Sequence, residues 1–233
     1  MLASKNGERP LTIAVAKGRM LAPAWEVLRG AGLVEGDPPK DLLLVEPQQP
    51  GGPRVLIVRS ADVLTYVAAG VAQLGLTGKD VLMERDPGPD VQELADLSIG
   101  QCRISLAAPA GDAADLLAPG RGPLRIATGL PNIARAYFQS LGRAVTIIPL
   151  RGSVEIAPAL GLADGVVDIV ETGGTLKRHG LVEVAEIAAI TTRLIGNAAA
   201  LRATTSRQLW PLVERLREAG RQVAARRGRA EEK

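Results

Sequence analysis

The sequence predicts an α/β fold in two lobes, with the chain crossing twice between them. Three observations support this. Short runs of Val, Leu, Ile and Ala alternate with helical patterns of apolar residues along most of the 233-residue chain. Aromatic residues make up only 2%, so the core must be aliphatic, as it is in parallel strands covered by helices. Two series of βα units are joined by long extended segments, near 91–108 and 181–200. A chain that leaves one lobe and later returns makes that lobe discontinuous, and the cleft between lobes is the default ligand site.

In order, residues 11–16 form the first strand and 21–31 a helix that stops at Gly32. Strands follow at 42–45 and 55–58, separated by the Pro- and Gly-rich turn of 47–53. Residues 61–69 read as a helix, 74–76 as a short strand and 80–84 as a short helix, before the extended segments 91–99 and 103–108. The second series has strands at 124–127, 145–150 and 166–170, with helices at 132–141 and 154–162 between them. Residues 181–188 and 193–201 are again extended. Leu209, Leu212, Val213, Leu216 and Val223 then mark an amphipathic tail helix. This alternation indicates largely parallel sheets.

Composition excludes several classes. A single cysteine, Cys102, permits no internal disulfide and no cysteine-cluster zinc site, and reads as a small buried hydrophobe. A single histidine, His179, argues against a histidine-rich metal site and against a Ser-His-Asp triad. It lies before Gly180 and fits the C-terminus of a helix, where a cation is favoured. No apolar run reaches the length needed to cross a bilayer, and the polar residues 1–10 lack the apolar stretch of a signal peptide, so a cytoplasmic protein without membrane contact is expected. The net charge of +3 does not mark a nucleic-acid-binding face. From Arg202 onward there are nine basic and four acidic residues, whereas the rest of the chain has 19 basic and 21 acidic. With so few aromatics there is also no stacking platform for single strands.

The stretch with the most chemistry is Val166-Val167-Asp168-Ile169-Val170-Glu171-Thr172-Gly173-Gly174-Thr175-Leu176. A buried strand ends in an acid, threonines and glycines, and a helix follows. Gly173 and Gly174 let backbone N–H groups converge on one spot, the helix dipole adds to the field, and Thr172 and Thr175 supply hydroxyl donors. Together they make a cradle for a phosphate monoester. Asp168 and Glu171 can accept from a ribose diol, so the pattern suits a phosphoribosyl group. The same pattern also suits a plain strand-to-helix turn with a threonine N-cap.

Other strand ends carry charge or glycine turns. Lys17-Gly18-Arg19 follows the first strand, at the edge where open α/β sheets bind ligands, and two cations around a glycine suit an oligophosphate. Arg59 ends another strand. Ser60 after it is placed as an N-cap, with Asp62 in the first helical turn. Gly78 and Lys79 close a third strand in a glycine turn, and Gly152-Ser153-Val154-Glu155 resembles a capping motif. Each of these also fits an ordinary solvated loop or turn.

These segments resemble one family, the short form of the ATP phosphoribosyltransferase catalytic subunit, which performs the first step of histidine biosynthesis. The resemblance rests on 11–19, 59–67, 74–82, 101–105, 131–138, 152–158 and 168–176, seven motifs in the family's order over roughly residues 11–201. It implies a two-lobed fold like that of periplasmic binding proteins. Lobe I would comprise residues 1–100 plus 187–233, and lobe II residues 101–186. It implies that Asp168, Glu171, Thr172, Gly173, Gly174 and Thr175 bind phosphoribosyl pyrophosphate. Arg19, with Lys17 and Lys40, would serve catalysis at the pyrophosphate, and Gly18, Arg59, Gly78, Lys79 and Glu155 would bind ATP. Related short forms carry an Arg-Lys pair where this chain has Pro39-Lys40-Asp41-Leu42, so a lysine point charge stands in for a guanidinium fork.

The resemblance further implies Mg2+ held mainly by substrate phosphates. It also implies a separate regulatory subunit similar to histidyl-tRNA synthetase, and a homodimer within a hetero-octamer, because the regulatory domain of the long form is not expected here. The alternative is a non-enzymatic two-lobed protein that binds an anion or solute. A flavodoxin-like phosphoribosyltransferase would carry two adjacent acids, whereas Asp168 and Glu171 are three positions apart.

Overall fold

A computed structural model describes residues 10–40, 43–120, 122–203 and 206–231. They form two compact units. The first takes the described residues up to Leu82, Asp86–Gly100, and those from Thr191 on; the second takes Met83–Arg85 and Gln101–Ile190.

In the first unit the strands are β1 (Thr12–Ala16), β2 (Leu44–Val45), β3 (Arg54–Val58), β4 (Leu74–Gly78) and β5 (Val91–Asp96), joined by the later strand at Thr192–Asn197. The helices are α1 (Leu21–Gly30), α2 (Ser60–Ala68) and α3 (Lys79–Glu84), the last two residues of which count with the second unit. From N- to C-terminus, β1 alternates Ile13 and Val15 toward one face with Ala14 and Ala16 toward the other, and all four are buried. Both faces of the strand are therefore covered, as parallel strands require. Trp25 and Leu28 of α1 cover the Ile13 face, together with Leu209 and Leu216 of the tail. Val63 and Val67 of α2 cover the other face.

In the second unit the strands are β6 (Cys102–Pro109), β7 (Leu124–Thr128), β8 (Val145–Pro149), β9 (Gly165–Val170) and β10 (Leu181–Ile190), with helices α4 (Pro131–Ser140) and α5 (Gly174–Arg178). The last strand of the chain, β11, is Thr192–Asn197, and α6 (Ala198–Arg202) and α7 (Ser206–Glu231) follow it. Ile104, Leu106, Leu124, Ile126 and Phe138 build the core on the α4 face. Ala107, Val166, Val170, Leu176 and Leu181 build it on the α5 face. Within this unit Glu84 caps α4: its carboxylate accepts from the backbone N–H groups of Asn132 and Ile133 at 3.0–3.1 Å. Pro131 opens that helix, where its missing N–H is not needed.

The sheets are mixed rather than largely parallel. The first runs β2-β3-β1-β4-β11-β5 and the second β10-β6-β9-β7-β8. Parallel pairing holds for β3-β1-β4 and for β9-β7-β8; helices lie in the crossovers from β1 to β3, β3 to β4 and β7 to β8, and only turns between β8 and β9. The extended segments that leave and re-enter the first unit pair antiparallel: β11 with β4 and β5, and β10 and β9 with β6. These long strands, read from sequence as connections, complete each sheet.

Four local expectations are corrected. Residues 154–162 are not a helix but a 3-10 turn, Val154–Ile156, followed by further turns. Pro158 lacks an N–H and Gly161 takes φ +69°, which together end helical propagation. Ser153 does not cap; it sits in the left-handed region at φ +51°. Ser60 is the first helical residue of α2, and the N-cap position belongs to Arg59, whose backbone is extended. Extended structure after Thr192 ends at Asn197, whose side chain accepts from the Ala200 N–H at 2.8 Å and starts α6. Leu42 of the expected strand 42–45, and Asp41 beside it, lie outside the described residues. No helix among the described residues is long and apolar enough to cross a membrane.

Candidate active site

The loop at 171–173 joins β9 to α5, at the carboxyl edge of the three parallel strands of the second unit. Gly173 takes φ +76°, a conformation that a side chain would strain, and it occupies the N-cap position of α5. The Thr172 hydroxyl accepts from the Gly174 N–H at 3.5 Å, so the threonine orders the turn without being the cap. Thr175 Oγ1 accepts from Arg178 Nη2 at 3.2 Å, a bond that does not use the hydroxyl proton. Because α5 is only five residues long, its dipole contributes little. The cradle depends on the loop backbone and the two hydroxyls.

Asp168 lies on β9, half-buried, and accepts from the backbone N–H of Ile169 at 2.8 Å. Burial raises its pKa above the ordinary carboxylate value, and the charge of Glu155 adds to the rise, against the Ile169 hydrogen bond. Glu155 stands in the 3-10 turn, with His179 Nε2 at 3.9 Å from its carboxylate. The structure thus places Glu155 in the second unit, beside Asp168. His179 is the C-cap of α5, followed by Gly180 at φ +68°, as its sequence context indicated.

In the first unit β3, β1 and β4 run parallel as neighbours, with Ala16 opposite Val58 and Val15 opposite Leu76. Their carboxyl ends therefore bring Lys17-Gly18-Arg19, Arg59 and Gly78-Lys79 to one edge. Lys17, Gly18, Arg19 and Arg59 are exposed, and Gly78 is buried. Gly18 takes φ +83°, which turns the chain into a 3-10 turn carrying Arg19. Arg19 Nη1 donates to the Gly100 carbonyl at 3.3 Å. The Asp80 carboxyl, raised by burial, is drawn down in part by Arg19. Lys79 Nζ lies 2.6 Å from Glu93, which also faces Arg193 at 3.5 Å. Lys40 is exposed in irregular chain. Among the described residues no cluster of three or more His, Cys, Asp or Glu could hold a metal ion.

Sequence reading missed one constellation. Arg103 and Ser105 of β6 converge on Glu183 of β10: Arg103 Nε and Ser105 Oγ donate to Glu183 Oε2 at 2.7 and 2.8 Å. Arg103 Nη1 donates to the Glu171 carbonyl at 3.3 Å, at the start of the loop. Arg103 and Glu183 are far apart in sequence and meet only through the β6–β10 pairing, so no local signal reveals them.

Comparison with known proteins identifies a family and a fold. The family model described as HisG: ATP phosphoribosyltransferase matches residues 59–218. An ATP phosphoribosyltransferase of Symbiobacterium thermophilum is 48% identical over 213 residues, covering 90% of this chain and 94% of its own. Among solved structures, the ATP phosphoribosyl transferase (HisG:HisZ) complex from Thermotoga maritima aligns with TM-score 0.74 and 33% identity, over 91% of this chain and 99% of its own. A histidine kinase sensor domain with similarity to periplasmic binding proteins aligns with TM-score 0.55 at 14% identity, over 97% of this chain and 95% of its own, which speaks to fold alone. The family model covers well over half of the chain, including Arg59, Lys79 and the loop after β9, and with the relative at 48% identity it shows that the chain belongs to the ATP phosphoribosyltransferase family.

Proposed function

We propose that this chain is the catalytic subunit that joins N1 of ATP to C1 of phosphoribosyl pyrophosphate, giving phosphoribosyl-ATP and pyrophosphate in the first step of histidine biosynthesis. The loop 171–175, with Gly173 in the left-handed region and Thr175 Oγ1 accepting from Arg178, is the observation that carries the reading. In it Thr172, Gly173, Gly174 and Thr175 hold the 5′-phosphate, and Asp168 and Glu171 accept from the ribose hydroxyls.

The N1 lone pair forms the new bond to C1 while the C1–O bond breaks and its pair leaves on pyrophosphate. N1 carries no proton to lose, so this step needs no general base. Alignment of the two substrates can lower such a barrier by about 7–11 kcal/mol. Arg19, with Lys17 and Lys40, meets the charge growing on the pyrophosphate. Gly18, Arg59, Gly78, Lys79 and Glu155 take the nucleotide, Glu155 from its place near Asp168 in the second unit.

The metal of this reading is Mg2+, which would be held mainly by the substrate phosphates. Asp168 and Glu155, near enough for the Glu155 charge to act on Asp168, carry hard carboxylate oxygens that would suit the waters of such a hydrated cation. When bound, it neutralises charge on the departing group.

The Thermotoga maritima relative is a HisG:HisZ complex. On that support, a separate regulatory subunit resembling histidyl-tRNA synthetase partners this chain, as a homodimer within a hetero-octamer. Cytoplasmic action, where both substrates are made, is part of the same reading. The test is pyrophosphate release from ATP plus phosphoribosyl pyrophosphate, with and without the regulatory subunit. Release that needs both substrates is expected; none in either format would overturn the assignment.

A further inference from the structure

The Arg103 guanidinium is planar, so fixing one edge of it fixes the other. One edge, Nε and Nη2, is taken by both carboxylate oxygens of Glu183, and Nε lies 2.7 Å from Oε2. The opposite nitrogen, Nη1, then points at the Glu171 carbonyl. Glu183 is itself fixed by the Ser105 hydroxyl. A register shift in the β6–β10 pairing falls between Glu183 and Ala185. Such a bulge re-aims a side chain, and here the Glu183 carboxylate reaches back along β6 to Ser105 and Arg103 although its Cα partner is Ala107.

Glu183 also borders the loop's turn, since a Cβ at Gly173 would lie 3.7 Å from Oε1. Both side chains keep about a third of their surface exposed, at 31% and 30%, so the pair adds little to global stability. Arg103 holds the Glu183 carboxyl below the usual carboxylate range, as a charge-assisted hydrogen bond does.

We propose that Arg103, locked by Glu183 and Ser105, is a positioning residue that anchors the Glu171 carbonyl and so presets the 171–175 loop for the 5′-phosphate of phosphoribosyl pyrophosphate. The proposal rests on the reading of that loop given above. It assigns Arg103 no contact with substrate, and it makes Glu183 as necessary as the arginine itself.

The test is steady-state kinetics on the whole chain, assayed with its regulatory subunit, for Arg103→Ala, Arg103→Lys, Glu183→Ala, the double variant Arg103→Ala/Glu183→Ala, and Thr175→Val as a control. Arg103→Ala should raise the KM for phosphoribosyl pyrophosphate about tenfold, the scale of one lost charge-assisted contact, with kcat and the KM for ATP within about threefold. Arg103→Lys keeps the charge but cannot span Glu183 and Glu171, and should fall between. Glu183→Ala should raise the same KM, and the double variant should be no worse than Arg103→Ala alone. An unchanged KM in Arg103→Ala, single effects that multiply, or a KM lowered by freeing Arg103 in Glu183→Ala would each overturn the proposal. If Thr175→Val raises the KM and Arg103→Ala does not, the loop assignment stands and the positioning role fails. If neither does, the loop assignment itself fails.

Discussion

Ser105 stands directly opposite Asp168 in the antiparallel pairing of β6 with β9, and its hydroxyl donates to Glu183. Having one proton, the hydroxyl spent on Glu183 cannot also stabilise Asp168. Asp168 is left with the Ile169 N–H against burial and the charge of Glu155, and its pKa is raised accordingly. A carboxylate held ionised at this cost is suited to accept ribose hydroxyls.

That cost has a sign that can be measured. The folded value of Asp168 lies above the ordinary 3.8. Unfolding therefore releases a carboxyl that ionises more readily, and above the folded pKa the group destabilises the fold. Below 3.8 it is protonated in both states and the penalty vanishes. Asp168→Asn should raise Tm without ligand at pH 7, by an amount that shrinks toward pH 4. The same variant should raise the KM for phosphoribosyl pyrophosphate about tenfold or more, the scale of a lost hydrogen bond to a charged group. Paired melts at the two pH values and a KM measurement check it; a lower Tm at pH 7 would contradict the burial argument.

Arg19 should separate binding from turnover. It follows Gly18 at the carboxyl edge of β1, with one guanidinium nitrogen on the Gly100 carbonyl. If it meets charge that develops only as pyrophosphate leaves, Arg19→Ala lowers kcat about 10²–10³-fold, with a much smaller change in KM for phosphoribosyl pyrophosphate. A raised KM at constant kcat would assign Arg19 to ground-state binding.

Thr175→Val removes a hydroxyl while nearly keeping shape. Valine removes both the hydroxyl donor and the oxygen that accepts from Arg178. One neutral hydrogen bond is worth about 0.5–1.5 kcal/mol, which predicts a KM for phosphoribosyl pyrophosphate raised roughly 2- to 13-fold. An unchanged KM would remove Thr175 from the cradle.

Much of this was legible in sequence because the informative signals are local. A Val-rich run ending in Thr-Gly-Gly-Thr marks β9 and its loop, and Gly180 after His179 marks the end of α5. The strand-end cations Lys17, Arg19 and Arg59 were legible for the same reason. What sequence did not reveal depends on pairing. The direction of β10 and β11 follows from which strand each meets, and Arg103 reaches Glu183 only across the sheet. The helix read at 154–162 failed locally, because apolar spacing outvoted Pro158 and Gly161. Likewise Glu84 ends one helix and caps another, a role that no capping box announces.

Glu84 should matter for stability rather than catalysis. Its carboxylate accepts from the Asn132 and Ile133 N–H groups, and the Asn132 side chain donates back to the Glu84 carbonyl at 2.9 Å. Loss of such a cap costs about 1 kcal/mol. In a chain of this size that lowers Tm by roughly 2–4 °C. Glu84→Ala should show this in a thermal melt, with Asn132→Ala showing a smaller loss; an unchanged Tm in Glu84→Ala would mean that solvent satisfies α4 equally well.

Gly165 provides the contrasting case at the other end of β9. A Cβ there would lie 2.9 Å from the Ala107 carbonyl oxygen and 3.3 Å from Leu116. The obstacle is backbone, and β6 cannot move aside because it is held between β10 and β9. Gly165→Ala must therefore push β9 away from β6, at a cost of about 1–3 kcal/mol. That corresponds to a fall in Tm of roughly 2–12 °C. Because the strain enters at the far end of the strand from the loop, the folded enzyme should keep its KM for phosphoribosyl pyrophosphate within about twofold, unlike Arg103→Ala. A loss of stability with intact KM would show that strand packing and loop positioning are separable. A raised KM at unchanged Tm would instead mean that β9 slides as a rigid unit and carries the loop with it.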